Sequence, residues 1–219
     1  MTGQGDAMRD QRNSKMVFFS IIIYVITVIA GMGITSVSAE RKSAYAFFFV
    51  NMTLAITAAI LYHDILIIDF RKLGARRFSI LTALTSMLFI SANLLGTVLY
   101  SAFFSPSTSN QEIIQSHVNM FPIETFVAIA FLAPVVEETI FRYIIQNQLK
   151  RMFVQVKAKA CASIVITAAI FALFHGGFTV ESIPYFFGGL AISAAYDKTD
   201  NYALVICAHS INNLVATFL

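Results

Sequence analysis

The sequence predicts an all-α protein, a polytopic membrane helical bundle of about seven transmembrane helices that forms a single membrane domain. Hydrophobic residues make up 58% of the 219 residues, and charged residues make up only 12%. An ordinary soluble domain is about a quarter charged, so a lipid bilayer suits this composition better than water. The apolar residues also fall into runs of the length that crosses about 30 Å of hydrocarbon.

The first part of the chain, residues 1–121, predicts a tail and three spans. Residues 1–15 are polar and predict a short cytoplasmic tail. The apolar run 16–34 is longer than the usual apolar region of a secretory signal, about 7–15 residues, and further spans follow it. We therefore expect a retained first span, although Val37–Ser38–Ala39 would suit a signal peptidase.

The second and third spans are predicted at residues 44–62 and 80–104. Between them, residues 63–79 mix Asp64 and Asp69 with apolar residues and end in four basic residues. This pattern favours a cytoplasmic, partly amphipathic connection.

The remaining chain, residues 122–219, predicts a core of four helices. Residues 105–121 are polar and predict a loop, and Pro122 suits the first turn of a helix that runs to about residue 153. Three more spans are expected at residues 160–174, 183–196 and 202–219.

The basic residues predict the orientation of these spans in the cell membrane. Among the 15 Lys and Arg residues, Arg41 and Lys42 lie on one side of the layout, Arg142 lies within a span, and all others lie on the opposite side. Basic loops stay in the cytoplasm, so the N-terminus is expected to be cytoplasmic.

The net charge of +3 does not suggest nucleic acid. Cys161 and Cys207 lie in apolar runs and predict buried free thiols.

Residues 133–142 place two carboxylates and a guanidinium inside an apolar run. Charges at membrane depth are costly and are usually kept for function. Glu138 and Arg142 are four residues apart, which predicts an ion pair on one helix face. Glu137 points about 100° away from Glu138 on a helix, so the two carboxylates cannot do the same job.

Helical rise predicts that polar side chains from three helices lie in one layer of the bundle. At 1.5 Å per residue, Glu137, His175, His209 and Asn213 fall at similar heights within an error of several Å. Hydrolysis of a peptide needs a base that activates water and donors that stabilise the oxyanion. A glutamate beside a histidine fits the first need, and a histidine with an asparagine one turn away fits the second.

Three motifs on successive helices resemble the CAAX protease and bacteriocin-processing (Abi) family. They are Glu137–Glu138–x–x–x–Arg142, Phe171–x–x–x–His175 and His209–x–x–x–Asn213, with further similarity from Gly189 through Tyr196, Thr199 and Asn201. The resemblance covers about residues 122–219, whereas residues 1–121 resemble nothing beyond membrane spans. It implies an intramembrane glutamyl endopeptidase that needs no metal and no other cofactor.

The resemblance also implies a role for each residue of the proposed catalytic set Glu137, Glu138, His175, His209 and Asn213. Glu137 with His175 would activate water, and His209 with Asn213 would line the oxyanion hole. Glu138 would support the site together with Arg142. The implied partners are the bilayer and a peptide or protein substrate that enters from the membrane or the cytoplasmic side. Many bacterial members of the family are linked to bacteriocin maturation, self-immunity or peptide signalling, and nothing in the sequence points to a prenylated CAAX substrate or to an oligomeric state.

Three other functions remain open at this point. The two histidines and two glutamates could hold zinc with an open position for water, although no His-Glu-x-x-His motif is present and Arg142 disfavours a dication. The chain could instead be a non-catalytic bacteriocin-immunity or peptide-binding protein. It could also be a transporter with Glu137 and Glu138 as a proton relay, but the lack of an evident inverted repeat argues against this.

Several residues also have a simple structural interpretation. Phe171 is expected to pack in the core, and His63 and His117 are expected to be solvated. The pairs Gly176–Gly177 and Gly188–Gly189 predict a turn or a close helix contact.

Overall fold

The computed structural model describes residues 40–153 and 158–218, and every regular element in these ranges is a helix. This result confirms the predicted all-α class. The predicted tail 1–15 and first span 16–34 lie outside the described residues. The helices are α1 Glu40–Leu73, α2 Ala75–Phe103, α3 Ser109–Met120, α4 over residues 122–152, α5 Lys159–Gly176, α6 Ser182–Thr199 and α7 Tyr202–Phe218.

Three helices in the described ranges are long and apolar enough to cross a membrane. Their spans are Phe48–Leu73, Ala75–Phe103 and Lys159–Gly176, and the shorter apolar helix Tyr202–Thr217 joins them. Large apolar side chains such as Leu84, Met87 and Leu94 point outward from α2, which suits contact with lipid. The chain is therefore a membrane protein, and the total of about seven spans remains a prediction.

Helix α1 differs from the prediction because it continues through the segment expected to be a connection. No glycine or proline interrupts residues 44–73, so the helix ends only before Gly74, whose φ of 70° is unfavourable for other residues. Asp69 in this segment is buried, with 7% of its surface accessible. The sequence did not indicate this burial, because a partner far along the chain covers the residue.

That partner is the start of α7. The Asp69 carboxylate accepts hydrogen bonds from the backbone amides of Tyr202 at 2.5 Å and Ala203 at 3.4 Å. Asn201 donates to the Asp69 carbonyl at 2.9 Å and accepts from the Leu204 amide at 2.8 Å. A carboxylate at a helix N-terminus satisfies free amides and interacts favourably with the helix dipole. Asp69 therefore attaches α1 to the helix that carries His209.

We expect Asp69→Ala to lower the free energy of unfolding by about 1–3 kcal/mol, because buried amides lose their acceptor. Thermal unfolding in detergent measures this loss. Asp64→Ala is the matched control, since the Asp64 side chain is 70% exposed and pairs with His63. Equal unfolding temperatures for the two variants would contradict the capping role of Asp69.

Helix α3 replaces most of the loop predicted at residues 105–121. It begins with a capping box, in which the Gln111 amide donates to the Thr108 hydroxyl at 3.3 Å and the Thr108 amide donates to the Gln111 side chain at 2.9 Å. The prediction failed because the segment is polar and lacks the apolar periodicity of a span. His117 on this helix is buried rather than solvated, and burial lowers its pKa. His63 is exposed as predicted.

Helix α4 begins at Pro122 as predicted, but two of its segments are π-helical. Ala128–Leu132 and Thr139–Gln146 flank the α-helical segment Ala133–Glu138. A proline inside an α-helix clashes with the carbonyl four residues earlier, and the wider turn before Pro134 accommodates its ring. Such π-bulges are frequent at functional sites, and this pair lies around the two glutamates.

The two glycine pairs have the roles that were predicted. Gly177 turns the chain after α5 with φ 63°, and a Cβ on Gly176 would lie 2.3 Å from the Ser182 amide nitrogen. A Cβ on Gly189 would lie 3.1 Å from the Ala168 Cα, so α5 and α6 are in close contact there.

The two cysteines are free thiols, as expected, but they are not fully buried. Cys207 is half-buried, and Cys161 is exposed on the outer face of α5, so its predicted burial was wrong. An apolar run does not indicate which side of a membrane helix faces protein and which faces lipid. Phe171 on the same helix is buried in the core, as predicted.

Candidate active site

The structure brings one carboxylate from α4 against imidazoles from α5 and α7. Glu137 Oε1 lies 3.7 Å from His175 Nε2, and Glu137 Oε2 lies 3.7 Å from His209 Nε2. These distances exceed a direct hydrogen bond, and they leave the Glu137 oxygens free to bind a water beside the imidazoles. The side chains of Glu137 and His175 are 20% and 15% exposed, so a small molecule can reach both.

The second carboxylate has different partners. Glu138 Oε1 accepts from Arg142 Nη1 at 3.2 Å, which is the predicted ion pair, and from His209 Nδ1 at 2.6 Å. Both Glu138 and Arg142 are completely buried. The contact with His209 was not predicted, because sequence spacing indicates pairs within one helix and not between helices. The two neighbouring glutamates therefore have different environments, one accessible and one buried.

Aromatic rings surround the buried guanidinium. The Arg142 Cζ atom lies 4.6 Å from the centre of the Phe171 ring and 5.9 Å from that of Phe141. An arginine over an aromatic face gains a cation–π attraction, which is larger when water is excluded. Phe171 therefore supports the charged pair in addition to packing in the core.

Two contacts hold the His175 ring in addition to the one with Glu137: a hydrogen bond at Nδ1 and a stacked aromatic ring. Its Nδ1 lies 2.9 Å from the Phe171 carbonyl oxygen, an acceptor, so Nδ1 carries the proton and Nε2 faces Glu137. Tyr185 stacks on the ring with centroids 5.0 Å apart and planes inclined by 25°. The Tyr185 hydroxyl in turn contacts Thr108 at 2.8 Å and Asn110 at 3.2 Å. Sequence analysis missed Tyr185, since a tyrosine in an apolar run gives no distinctive signal.

His209 is fixed in the same manner. Its Nδ1 donates to Glu138, a carboxylate that can only accept when ionised. The Phe89 ring meets the imidazole edge to face at 5.1 Å. In both histidines, Nδ1 therefore makes the hydrogen bond that holds the ring, and Nε2 faces Glu137.

Asn213 lies one helical turn beyond His209 and contacts α4. Its Nδ2 donates to the Ile129 carbonyl at 2.9 Å, and its Oδ1 accepts from Asn212 Nδ2 at 3.0 Å. The Asn212 Oδ1 accepts from Asn93 Nδ2 on α2 at 3.0 Å. Sequence analysis missed both Asn93 and Asn212, although a polar side chain within an apolar span was an available signal.

The zinc alternative requires three or more ligands that converge on one point. Over residues 40–153 and 158–218, no three His, Cys, Asp or Glu side chains are grouped in this way. Arg142 also lies against Glu138 and places a positive charge where a dication would be repelled.

The second part of the chain matches a known protein family. Residues 119–215 match the family model described as type II CAAX prenyl endopeptidase Rce1-like, whereas no curated protein and no solved structure matches the chain. The match confirms the resemblance predicted from the three motifs. The matched segment contains all six predicted site residues and does not include Asn93.

Proposed function

Because residues 119–215 match the Rce1-like family model of type II CAAX prenyl endopeptidases, we propose that this chain is an intramembrane endopeptidase that activates water with a glutamate and without a metal. The observation that carries this proposal is the position of the Glu137 carboxylate, 3.7 Å from the Nε2 atoms of both His175 and His209. The substrate class that we propose is a CAAX-type peptide. Unprenylated precursors, as in bacteriocin maturation, are the alternative substrate.

The catalytic water is held between Glu137 and His175. His175 Nδ1 donates to the Phe171 carbonyl, so the neutral ring offers a lone pair at Nε2. A water between two acceptors donates one hydrogen to Glu137 Oε1 and the other to His175 Nε2. Its oxygen lone pair is then free to attack a peptide carbonyl, with Glu137 as the general base.

The oxyanion is stabilised from the side of α7. His209 Nδ1 donates to Glu138 at 2.6 Å. In the imidazolium form, whose charge this carboxylate compensates, the ring also carries a proton on Nε2 and donates it to the oxyanion. Asn213 contributes an amide N–H from the next turn. Donors fixed in advance in a dry site are usually the largest contribution to such catalysis.

The protons balance over one turnover. Glu137 takes one proton from the attacking water as the new C–O bond forms. It gives that proton to the leaving nitrogen as the C–N bond breaks, which regenerates the carboxylate. The other water hydrogen stays on the new carboxyl group, and the products are a carboxylic acid and an amine.

We expect the purified protein in proteoliposomes to cleave a quenched fluorescent peptide that ends in farnesyl-Cys-Val-Ile-Met, and a strong chelator to leave the rate unchanged within twofold. The same peptide without the farnesyl group and a pool of bacteriocin precursors test the alternative substrates. The chelator should not change the rate, because a carboxylate that activates water directly needs no metal ion. Mass spectrometry of the products identifies the bond that is cleaved.

Two results would contradict the proposal. Loss of cleavage in chelator, restored by zinc, would favour the metal mechanism. No cleavage of any peptide, together with protection of cells from a bacteriocin, would favour a binding protein.

A further inference from the structure

Three asparagine side chains form a directional chain of hydrogen bonds that ends at α4. Asn93 Nδ2 donates to Asn212 Oδ1 at 3.0 Å, and Asn212 Nδ2 donates to Asn213 Oδ1 at 3.0 Å. Asn213 Nδ2 then donates to the Ile129 carbonyl at 2.9 Å. We call these three side chains the asparagine relay. It joins α2, which lies outside the matched segment, to the helix that carries both glutamates.

The backbone of α4 determines the direction of the relay. The Ala133 amide bonds five residues back to the Ala128 carbonyl, and Pro134 has no amide hydrogen. Neither residue therefore donates to the Ile129 carbonyl, which accepts from Asn213 instead. A carbonyl can only accept, so Asn213 must present its nitrogen there and its oxygen to Asn212.

The orientations of the Asn212 and Asn93 side-chain amides follow in the same way. Asn213 Oδ1 requires a donor, so Asn212 turns its nitrogen toward Asn213 and its oxygen toward Asn93. Asn93 has room for this contact because α6 has a glycine opposite it. A Cβ on Gly188 would lie 2.0 Å from Asn93 Oδ1.

We propose that Asn93 and Asn212 are positioning residues that hold the Asn213 amide as a donor to the oxyanion. This inference rests on the proposed function and adds Asn93 and Asn212 to the predicted site. With its oxygen occupied by Asn212 and one N–H bound to Ile129, Asn213 has one N–H left to offer. Without the relay the amide can rotate and present an oxygen to the oxyanion, which would repel it.

The test compares variants of Asn212 that keep its size. Asn212→Leu removes both bonds, and Asn212→Asp keeps the acceptor for Asn93 but places an oxygen against Asn213 Oδ1. For both variants we expect kcat on the farnesylated peptide to fall about 10- to 100-fold, as for a misplaced catalytic group, with KM within twofold of wild type. Asn213→Ala should lose at least as much activity. Adding Asn212→Leu to Asn213→Ala should cause no further loss, because the relay acts through Asn213.

Asn147→Leu is the matched control. This half-buried asparagine donates to the Tyr143 carbonyl of its own helix at 2.9 Å and to the Tyr196 hydroxyl of α6 at 2.8 Å, but it is outside the relay. Its kcat should stay within twofold of wild type. If the Asn212 variants do not fold, Asn93→Leu carries the same test, since it breaks only the bond farthest from Asn213.

The outcomes separate this inference from the proposed function. Normal kcat in the Asn212 and Asn93 variants, with loss in Asn213→Ala, would overturn the relay and leave the protease intact. The relay would also be overturned if the double variant Asn212→Leu with Asn213→Ala lost the product of the two single losses in kcat. That result would show that Asn212 acts independently of Asn213. A wild type that cleaves no peptide would overturn the proposed function and the relay together.

Discussion

Replacing Glu137 by glutamine is expected to reduce kcat for peptide cleavage by about 10²- to 10⁴-fold, the contribution of a general base. Glutamine keeps the shape of the side chain but cannot take a proton from water. The contacts of Glu137 with the two imidazoles are both 3.7 Å, so the exchange breaks no short hydrogen bond. KM and the unfolding temperature should therefore change little.

Glu124→Gln provides the control for this experiment. Glu124 lies in the first turn of the same helix, far from the imidazoles, and its loss should leave kcat within twofold of wild type. Product formation by purified protein in proteoliposomes is the measurement. A Glu137→Gln enzyme with more than a tenth of wild-type kcat would rule out Glu137 as the base.

Replacing Arg142 by methionine is expected to have the largest effect on stability. Arg142 and Glu138 are both completely buried and 3.2 Å apart. Removing one member of a buried ion pair leaves an uncompensated charge and costs about 3–5 kcal/mol. We expect a large fall in unfolding temperature and poor recovery from the membrane.

The double variant Glu138→Gln with Arg142→Met separates charge from packing. It leaves no unpaired charge, so much of the lost stability should return, as measured by thermal unfolding in detergent. Cleavage should stay low, because His209 loses the carboxylate that holds its Nδ1. Lys150→Met is the control, since the Lys150–Asp197 pair at 2.7 Å is about one-quarter exposed and should contribute no more than about 1 kcal/mol. Equal losses of unfolding free energy in Lys150→Met and Arg142→Met would contradict the larger contribution expected of the buried pair.

The features that follow from helix geometry were predictable from the sequence. The Glu138–Arg142 pair follows from a spacing of four residues within one helix. The meeting of Glu137 with His175 and His209 follows from helical rise, once the ends of three helices are estimated. Spans α5, α6 and α7 were predicted to within about three residues because their apolar runs have polar ends.

The features that depend on contacts between distant segments were not predictable. The burial of Asp69 is explained only by the amides at the start of α7. The hydrogen bond between Glu138 and His209 and the stacking of Tyr185 on His175 join helices whose relative rotation the sequence does not specify. Helix α3 was missed because its capping box lies in a polar segment, where no apolar face signals a helix.

The capping of α7 by Asp69 has a consequence for biosynthesis. The Asp69–Tyr202 contact joins residues 133 positions apart, so it forms only after the segment that carries both glutamates has left the ribosome. His209 lies beyond Tyr202 and reaches both glutamates only when α7 docks. A nascent chain at this stage has its carboxylates in the membrane but no complete site. If the chain is the proposed protease, it is inactive during insertion, and nearby membrane proteins are not cleaved until α7 docks.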